Sequence, residues 1–333
     1  MSVEHPSKIL TRRLISGLIF GFIVLIGLIL VGDLRQVSKQ VFKFHWTLYP
    51  VVLLLTLFNY TLRFIKWHYY LKQIGVRELT IPESSRLFVA GFPLAVTPGK
   101  VGEALKGLWL NKMTGIPVAR GISVVLAERI SDGLGVLTLS TSGVITYPRY
   151  WPVFAIVLAS MLGVIIISQI RPLALGLLDF GSRLPLVKRF ANSLREFYEG
   201  SFALFRPKTT LIAVGLGITS WLAEGIGLYV ILLGLGLSNN WETLSISVFV
   251  LSFSTVVGAV SALPGGLGAA DASIAGMLTL LLGLGTDISA AATLLIRFAT
   301  LWFGVGLGLV SWMFSKDLLG IGNQVNSAHS PNP

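Results

Sequence analysis

One short stretch of the sequence, Glu128-Arg129-Ile130-Ser131-Asp132, places three charged side chains in a run that is otherwise apolar. A helix presents Glu128 and Asp132, four positions apart, on one face. Arg129 is three positions from Asp132, close enough to form an ion pair with it. Charged side chains are costly in an apolar environment and usually face protein or water. The cluster is therefore either a structural ion-pair network between helices or a polar pathway for a headgroup or a proton.

Further charges lie deep within apolar sequence at Glu103, Glu224, Asp271 and Arg297, and Lys100 and Lys106 flank the first of them. We expect the carboxylates to balance the arginines until an anionic substrate displaces them. Arg63, Lys66 and His68 lie instead near the end of an apolar run. Long basic side chains at such positions usually extend to the membrane interface, so we expect these three residues to have no role in a site.

Two Pro-Gly motifs in the sequence resemble each other. They are Thr97-Pro98-Gly99-Lys100-Val101-Gly102-Glu103-Ala104 and Leu263-Pro264-Gly265-Gly266-Leu267-Gly268-Ala269-Ala270-Asp271. An apolar half-helix precedes each turn, and an acidic residue follows it. Arg129 comes 31 residues after Pro98, and Arg297 comes 33 residues after Pro264. These shared features favour an internal duplication over a chance likeness between two common turns.

Long apolar runs surround these motifs. A helical run of roughly 18 apolar residues or more can cross the ~30 Å hydrocarbon layer of a bilayer. Six clear runs occur, at Leu14–Val31, Leu48–Tyr70, Val118–Tyr147, Trp151–Ile170, Thr209–Leu237 and Ile288–Phe314. The sequence therefore predicts an all-α integral membrane protein, a polytopic helical bundle with six clear transmembrane spans.

Two further apolar segments, Ser84–Lys112 and Leu244–Leu284, are broken by the Pro-Gly motifs, since Pro removes a backbone donor and Gly frees the dihedral angles. Non-helical backbone at membrane depth persists only where protein or water surrounds it. We expect the first segment to be re-entrant because its halves are short and charged. For the second, a re-entrant hairpin and a pair of full spans remain equally open.

The two broken segments are predicted to form an inverted repeat, because three clear spans, an odd number, separate them. In transporters with such repeats, broken helices meet near the bilayer midplane and form the substrate site. Helix N-termini there present unpaired N–H groups that favour an anion such as phosphate. The turn backbone predicted to contribute is that of Pro98, Gly99, Gly102, Pro264, Gly265, Gly266 and Gly268.

Composition supports the membrane class and excludes several others. Of 333 residues, 53% are hydrophobic and 12% are charged, whereas soluble domains carry about a quarter charged residues. The net charge of +11 is explained by the positive-inside bias and by contact with anionic lipid headgroups, and not by binding to nucleic acid. The sequence has no cysteine, no histidine pair at metal-ligand spacing, no Gly-x-Ser-x-Gly and no Walker motif. We therefore expect no metal, no cofactor, no enzymatic activity and no ATP-driven pump.

Loop charge predicts the topology. The basic residues of the N-terminal tail (1–13), of the connection 171–208 and of the tail 315–333 fall on one side if the spans alternate, which places both termini in the cytoplasm. The transmembrane domain is expected over 14–314, in the cell (inner or plasma) membrane. Residues 179–205 form a predicted amphipathic helix at the cytoplasmic interface, with Phe190 and Leu194 on its apolar face.

The motifs together resemble the membrane domain of lysylphosphatidylglycerol synthases, a flippase-like family. The likeness covers Ala95–Ala104, Glu128–Gly133, Leu263–Asp271 and Leu295–Arg297, and extends from about the first span to the last. In the synthases this domain translocates the aminoacylated phospholipid, so the resemblance implies a flippase. Two departures stand out. The chain stops soon after the last span, so we expect no aminoacyl-transfer domain and no lysyl-lipid synthesis, and Asp271 replaces an expected Glu.

The sequence therefore predicts a membrane lipid translocator that moves a phospholipid or a polyprenyl-phosphate-linked lipid through a central polar site. The predicted substrate-binding residues are Lys100, Glu103, Lys106, Glu128, Arg129, Asp132, Asp271 and Arg297. Two alternatives remain open: an accessory subunit that partners an enzyme of glycolipid or cell-envelope biosynthesis, and an intramembrane lipid-modifying enzyme with Glu128 or Asp132 as acid or base.

Overall fold

The computed structural model describes residues 15–17, 19–21, 23–24, 26–27, 33–97, 102–146, 151–172, 174–176 and 188–315. Several predicted features lie outside these residues: Pro98, Gly99 and Lys100 of the first Pro-Gly motif, the tail 1–13, almost all of the tail 315–333, and parts of Leu14–Val31 and of 179–205.

The regular secondary-structure elements among the described residues are all helices. The helices are α1 (Leu34–Lys43), α2 (Tyr49–Gln73), α3 (Ile81–Ala90), α4 (Leu105–Thr114), α5 (Val118–Thr146), α6 (Trp151–Gln169), α7 (Ala191–Leu204), α8 (Pro207–Gly234), α9 (Trp241–Val260), α10 (Ala269–Leu282), α11 (Thr286–Arg297) and α12 (Phe303–Met313). Short 3-10 helices occur at Trp46–Leu48, Phe92–Val96 and Pro264–Gly266. A π-helical turn at Phe298–Trp302 joins α11 to α12.

The helix lengths confirm a polytopic α-helical membrane protein. Within the described residues, five helical stretches are long and apolar enough to cross a bilayer: Trp46–Gln73, Pro207–Gly234, Trp241–Val260, Pro264–Leu282 and Thr286–Met313. The 29-residue α5 is also long enough, although it carries the central charged cluster. Five of the six clear spans predicted from sequence coincide with helices: three with membrane-length stretches named above, and one each with α5 and α6. In the sixth span, Leu14–Val31, the described residues are helical.

The two broken segments differ in length. On either side of the first break, α3 and α4 have 10 residues each, about 15 Å at 1.5 Å per residue and half of a bilayer core. These lengths agree with the expected re-entrant segment. On either side of the second break, Trp241–Val260 has 20 residues and Pro264–Leu282 has 19. Of the two alternatives left open for this segment, the lengths favour a pair of full spans.

The two breaks lie next to each other inside the protein. A Cβ atom placed on Gly265 would lie 3.4 Å from Cγ1 of Val96, which ends the 3-10 helix of the first break. Gly265 and Gly266 have φ angles of 61° and 67°, a left-handed region that favours glycine. The contact of Val96 with the second turn brings the two broken segments to the same central region.

Helix α8 packs against α2 and α5 through small residues. A Cβ atom on Gly135 of α5 would lie 2.9 Å from the carbonyl carbon of Gly217 in α8, so the two backbones nearly touch, as small residues allow in membrane bundles. Buried Asn59 of α2 donates a hydrogen bond to the carbonyl of Ser220 in α8 at 2.9 Å. These contacts fix the faces of three helices that line the site.

The described part of the predicted interfacial helix is α7, which lies on α5. Arg120 of α5 forms an ion pair with Glu196 at 2.5 Å, and Tyr198 of α7 is buried. Phe190 and Leu194, predicted to lie on the apolar face, are exposed. The side of α7 that carries Glu196 and Tyr198 thus contacts the protein. The apolar side near Phe190 and Leu194 is exposed and could contact a membrane surface.

Candidate functional site

A cavity of about 410 Å³ lies at the centre of the helices, next to both Pro-Gly segments. Its size is within the range of small-molecule sites. Most of the wall is apolar, with side chains such as Phe92, Met161 and Leu251. The charged residues of the wall come from both halves of the chain: Arg63, Glu103, Lys106, Arg129, Asp132, Glu224 and Arg297.

In the first copy of the repeat, Glu103 pairs with Arg129. The Glu103 carboxylate follows the break at the start of α4, and its Oε2 lies 3.2 Å from Nε of Arg129 in the middle of α5. The Glu103 side chain is buried, whereas 29% of the Arg129 side chain is exposed. Because Arg129 also lines the cavity, its guanidinium group is accessible to a molecule inside.

In the second copy, Asp271 pairs with Arg297. Oδ1 of Asp271 lies 2.7 Å from Nε of Arg297, and Oδ2 accepts a hydrogen bond from the Gly268 N–H at 2.7 Å. Arg297 also donates from Nη2 to the Gly265 carbonyl at 3.0 Å. Asp271 therefore caps the N-terminus of α10 and holds the arginine against the turn.

The spacing within the two ion pairs is the same. Arg129 comes 26 residues after Glu103, and Arg297 comes 26 residues after Asp271. In each copy the acid that follows the Pro-Gly turn thus contacts the arginine of the next long helix. This correspondence adds a three-dimensional feature to the sequence features that favour duplication.

Glu128 pairs with Lys106, which lines the cavity, but Glu128 itself is not part of the cavity wall. Nζ of Lys106 lies 3.4 Å from Oε2 of Glu128, and both side chains are almost fully enclosed. The ammonium group also lies 4.9 Å from the ring centroid of Trp67 and 5.2 Å from that of Phe88. Such enclosed contacts hold α4 against α2 and α5, and a ligand cannot reach the Glu128 carboxylate without moving them.

Asp132 pairs with two bases of α2, which corrects two sequence-based expectations. Its Oδ1 contacts Nζ of Lys66, and its Oδ2 lies 3.6 Å from Nε of Arg63. Lys66 was expected to extend to the interface, but its side chain is 0% exposed. Arg129, expected to pair with Asp132, pairs with Glu103 instead. The packing of α2 against α5 and α8 turns the bases of α2 toward the interior.

A sequence signal for Lys66 and Arg63 existed. Thr56, Asn59, Arg63 and Lys66 recur at intervals of three or four in an apolar helix, and Thr56, Asn59 and Lys66 are buried. A polar stripe at that interval marks one helix face that turns toward protein. Arg63 also lies 6.0 Å from the Trp221 ring of α8.

Three backbone donors at the turns already have acceptors. The Gly102 N–H donates to Oγ1 of Thr97 at 2.9 Å, the Gly266 N–H donates to the Leu263 carbonyl at 2.9 Å, and the Gly268 N–H donates to Asp271. Donation by these glycines to an anion therefore requires a rearrangement. In this conformation the guanidinium groups of Arg63, Arg129 and Arg297 are the strong donors at the cavity wall.

Glu224 of α8 differs from the other acids at the site. Its side chain lines the cavity and the residue is 6% exposed. No described residue makes a hydrogen bond or ion pair with it. The sequence identified it as a deep charge but not as a binding residue, because no second charge lies near it in sequence.

Comparison of the sequence with known proteins assigns the chain to a family. Residues 16–308 match the family model of the lysylphosphatidylglycerol synthase TM region. A UPF0104 membrane protein of Methanothermobacter thermautotrophicus is 24% identical over 305 residues, which cover 86% of this chain and 89% of the relative. A UPF0104 membrane protein of Methanocaldococcus jannaschii is 27% identical over 205 residues, which cover 61% of this chain and 85% of the relative.

Proposed function

Because the chain belongs to the lysylphosphatidylglycerol synthase TM family, we propose that it moves a lipid with an anionic headgroup between the leaflets of the cell membrane. The lipid is a phospholipid or a polyprenyl-phosphate-linked lipid, and the chain acts as a translocator and not as an enzyme. The observation that carries this proposal is the pair Arg129 and Arg297, one from each copy, at the wall of one central cavity.

The two arginines suit a phosphate better than the lysines do. A guanidinium group presents planar, bidentate donors that match phosphate oxygens. The side chains of Arg129 and Arg297 are 29% and 13% exposed, whereas those of Lys66 and Lys106 are 0% and 4% exposed. A headgroup would thus exchange with the carboxylates that hold the arginines, while the enclosed lysine pairs keep the helices together.

The rest of the wall suits the lipid part of such a substrate. Apolar residues from several helices line the cavity, among them Phe92, Val136, Met161 and Leu301. An apolar wall with a few convergent charges is the usual composition of a site for an amphiphilic ligand. The loop charges add the proposal that both termini face the cytoplasm.

Native mass spectrometry of the protein, extracted gently from its own membrane, tests whether the site binds such a lipid. We expect the wild type to retain one class of anionic lipid and the double variant Arg129→Gln/Arg297→Gln to lose it. The matched control is Arg120→Gln, which removes a guanidinium paired with Glu196 on α7 outside the cavity. Equal retention of bulk lipids by all three proteins would contradict the proposal and favour the accessory subunit.

A further inference from the structure

Among the described residues, the charges that line the cavity, together with the charges paired to them, balance only if Glu224 is included. Among the described residues, five acids and five bases form the cluster: Glu103, Glu128, Asp132, Glu224 and Asp271 with Arg63, Lys66, Lys106, Arg129 and Arg297. Four of the acids contact a base within 3.6 Å, and Asp132 contacts two. Glu224 alone balances the fifth base without contacting it.

The surroundings of Glu224 come from four helices. Tyr60 and Arg63 of α2, Asp132 of α5 and Arg297 of α11 line the same cavity as Glu224. In α9, the described helix that also packs on α8, the one charged residue is Glu242, in the exposed first turn. Glu224 thus shares the cavity wall with two arginines, Arg63 and Arg297, but forms no direct ion pair with either.

An anionic headgroup changes this balance. A phosphodiester carries one negative charge, and a cluster that is neutral with Glu224 ionised would become negative when that phosphate binds. Binding of the headgroup to Arg129 and Arg297 also takes Arg297 from the surroundings of Glu224, and an ionised carboxylate buried without a partner is costly. Uptake of one proton from water onto a Glu224 carboxylate oxygen removes that cost and restores neutrality.

We propose that Glu224 is the proton-coupling residue of the site and binds one proton when an anionic lipid enters the cavity. This inference rests on the proposed function and extends it to the driving force. Lipid and proton would occupy the site together, so that a proton gradient across the membrane drives the lipid in the direction in which protons flow. Binding of the lipid raises the affinity of Glu224 for a proton, and by thermodynamic linkage the bound proton raises the affinity for the lipid by the same factor.

Calorimetric titration of the purified protein with short-chain phosphatidylglycerol measures the coupling directly. Titrations in two buffers of different ionisation enthalpy, repeated over a pH series, give the number of protons taken up per lipid bound. For the wild type we expect uptake that approaches about one proton per lipid. For Glu224→Gln we expect binding of the lipid with no proton uptake, because the amide is permanently neutral.

Two further variants define the outcome. Glu224→Asp keeps a titratable carboxylate and should keep proton uptake, even if the Gln variant folds poorly. Glu242→Gln makes the same chemical change at an exposed position and should titrate like the wild type. Uptake by the Gln variant equal to that of the wild type, or wild-type binding of phosphatidylglycerol without uptake, would overturn the coupling and leave the lipid site standing. Failure of the wild type to bind phosphatidylglycerol would contradict the proposed function itself.

Discussion

The Asp271 carboxylate contacts the Arg297 guanidinium at 2.7 Å, 26 residues along the chain. Glu103 and Arg129 repeat this contact in the first half of the chain with the same separation. Each pair joins the acidic residue that follows a Pro-Gly turn to an arginine in the middle of a long helical stretch. The break in the helix and the buried charge are thus parts of one structural unit that occurs twice.

Removal of the Asp271 charge should destabilise the second unit. Asp271→Asn weakens the cap on α10, which costs about 0.5–2 kcal/mol, and leaves Arg297 without its buried partner, which costs about 1–3 kcal/mol. We expect a lower unfolding temperature in detergent than for the wild type. The control Glu242→Gln changes an acid in the first turn of α9 that is exposed, and an equal loss in the two variants would argue against a structural role for the Asp271 contacts.

Lys66 should be essential for stability although it is a basic residue in an apolar helix. Lys66→Met leaves the Asp132 carboxylate with Arg63 alone, at 3.6 Å, and loss of one partner of a buried pair costs about 3–5 kcal/mol. Unfolding by denaturant in mixed micelles measures the effect.

Lys72→Met is the matched control for Lys66, because Lys72 lies in the last turn of the same helix and is exposed. The double variant Lys66→Met/Asp132→Leu should be more stable than Lys66→Met, since no uncompensated carboxylate remains. A Lys66→Met protein as stable as Lys72→Met would show that the lysine is not buried as described.

The glycine at position 266 should resist substitution. Its φ angle is 67°, and a Cβ atom there would lie 3.1 Å from Cα of Gly258 in α9. Gly266→Ala therefore combines backbone strain of about 1–3 kcal/mol with a close contact between two backbones, and the unfolding temperature should fall.

Gly276→Ala is the control for Gly266, since Gly276 lies within α10 and its Cβ would meet no atom within 4 Å. Alanine is favoured over glycine inside a helix by about 0.5–1 kcal/mol, so this variant should be at least as stable as the wild type. The turn geometry would be contradicted if both variants unfolded at the same temperature.

The all-α class, most of the spans and both breaks could be predicted from sequence, because long apolar runs and Pro-Gly turns are local signals. Partners across helices were harder to predict. Lys66 was assigned to the interface because it lies near the end of an apolar run, and its burial depends on where α5 and α8 lie. Asp132 likewise pairs with bases 66 and 69 residues earlier in the chain, a choice that only the packing of α2 decides.

Leaflet transfer of fluorescent phosphatidylglycerol in proteoliposomes tests the central claim most directly. We expect the wild type and Arg120→Gln to expose the inner-leaflet lipid to an external quencher faster than empty vesicles do. Arg129→Gln/Arg297→Gln, folded and inserted to the same extent, should fall to the rate of empty vesicles. A double variant that transfers lipid as fast as the wild type would contradict the account, because transfer would then not depend on the two arginines of the repeat.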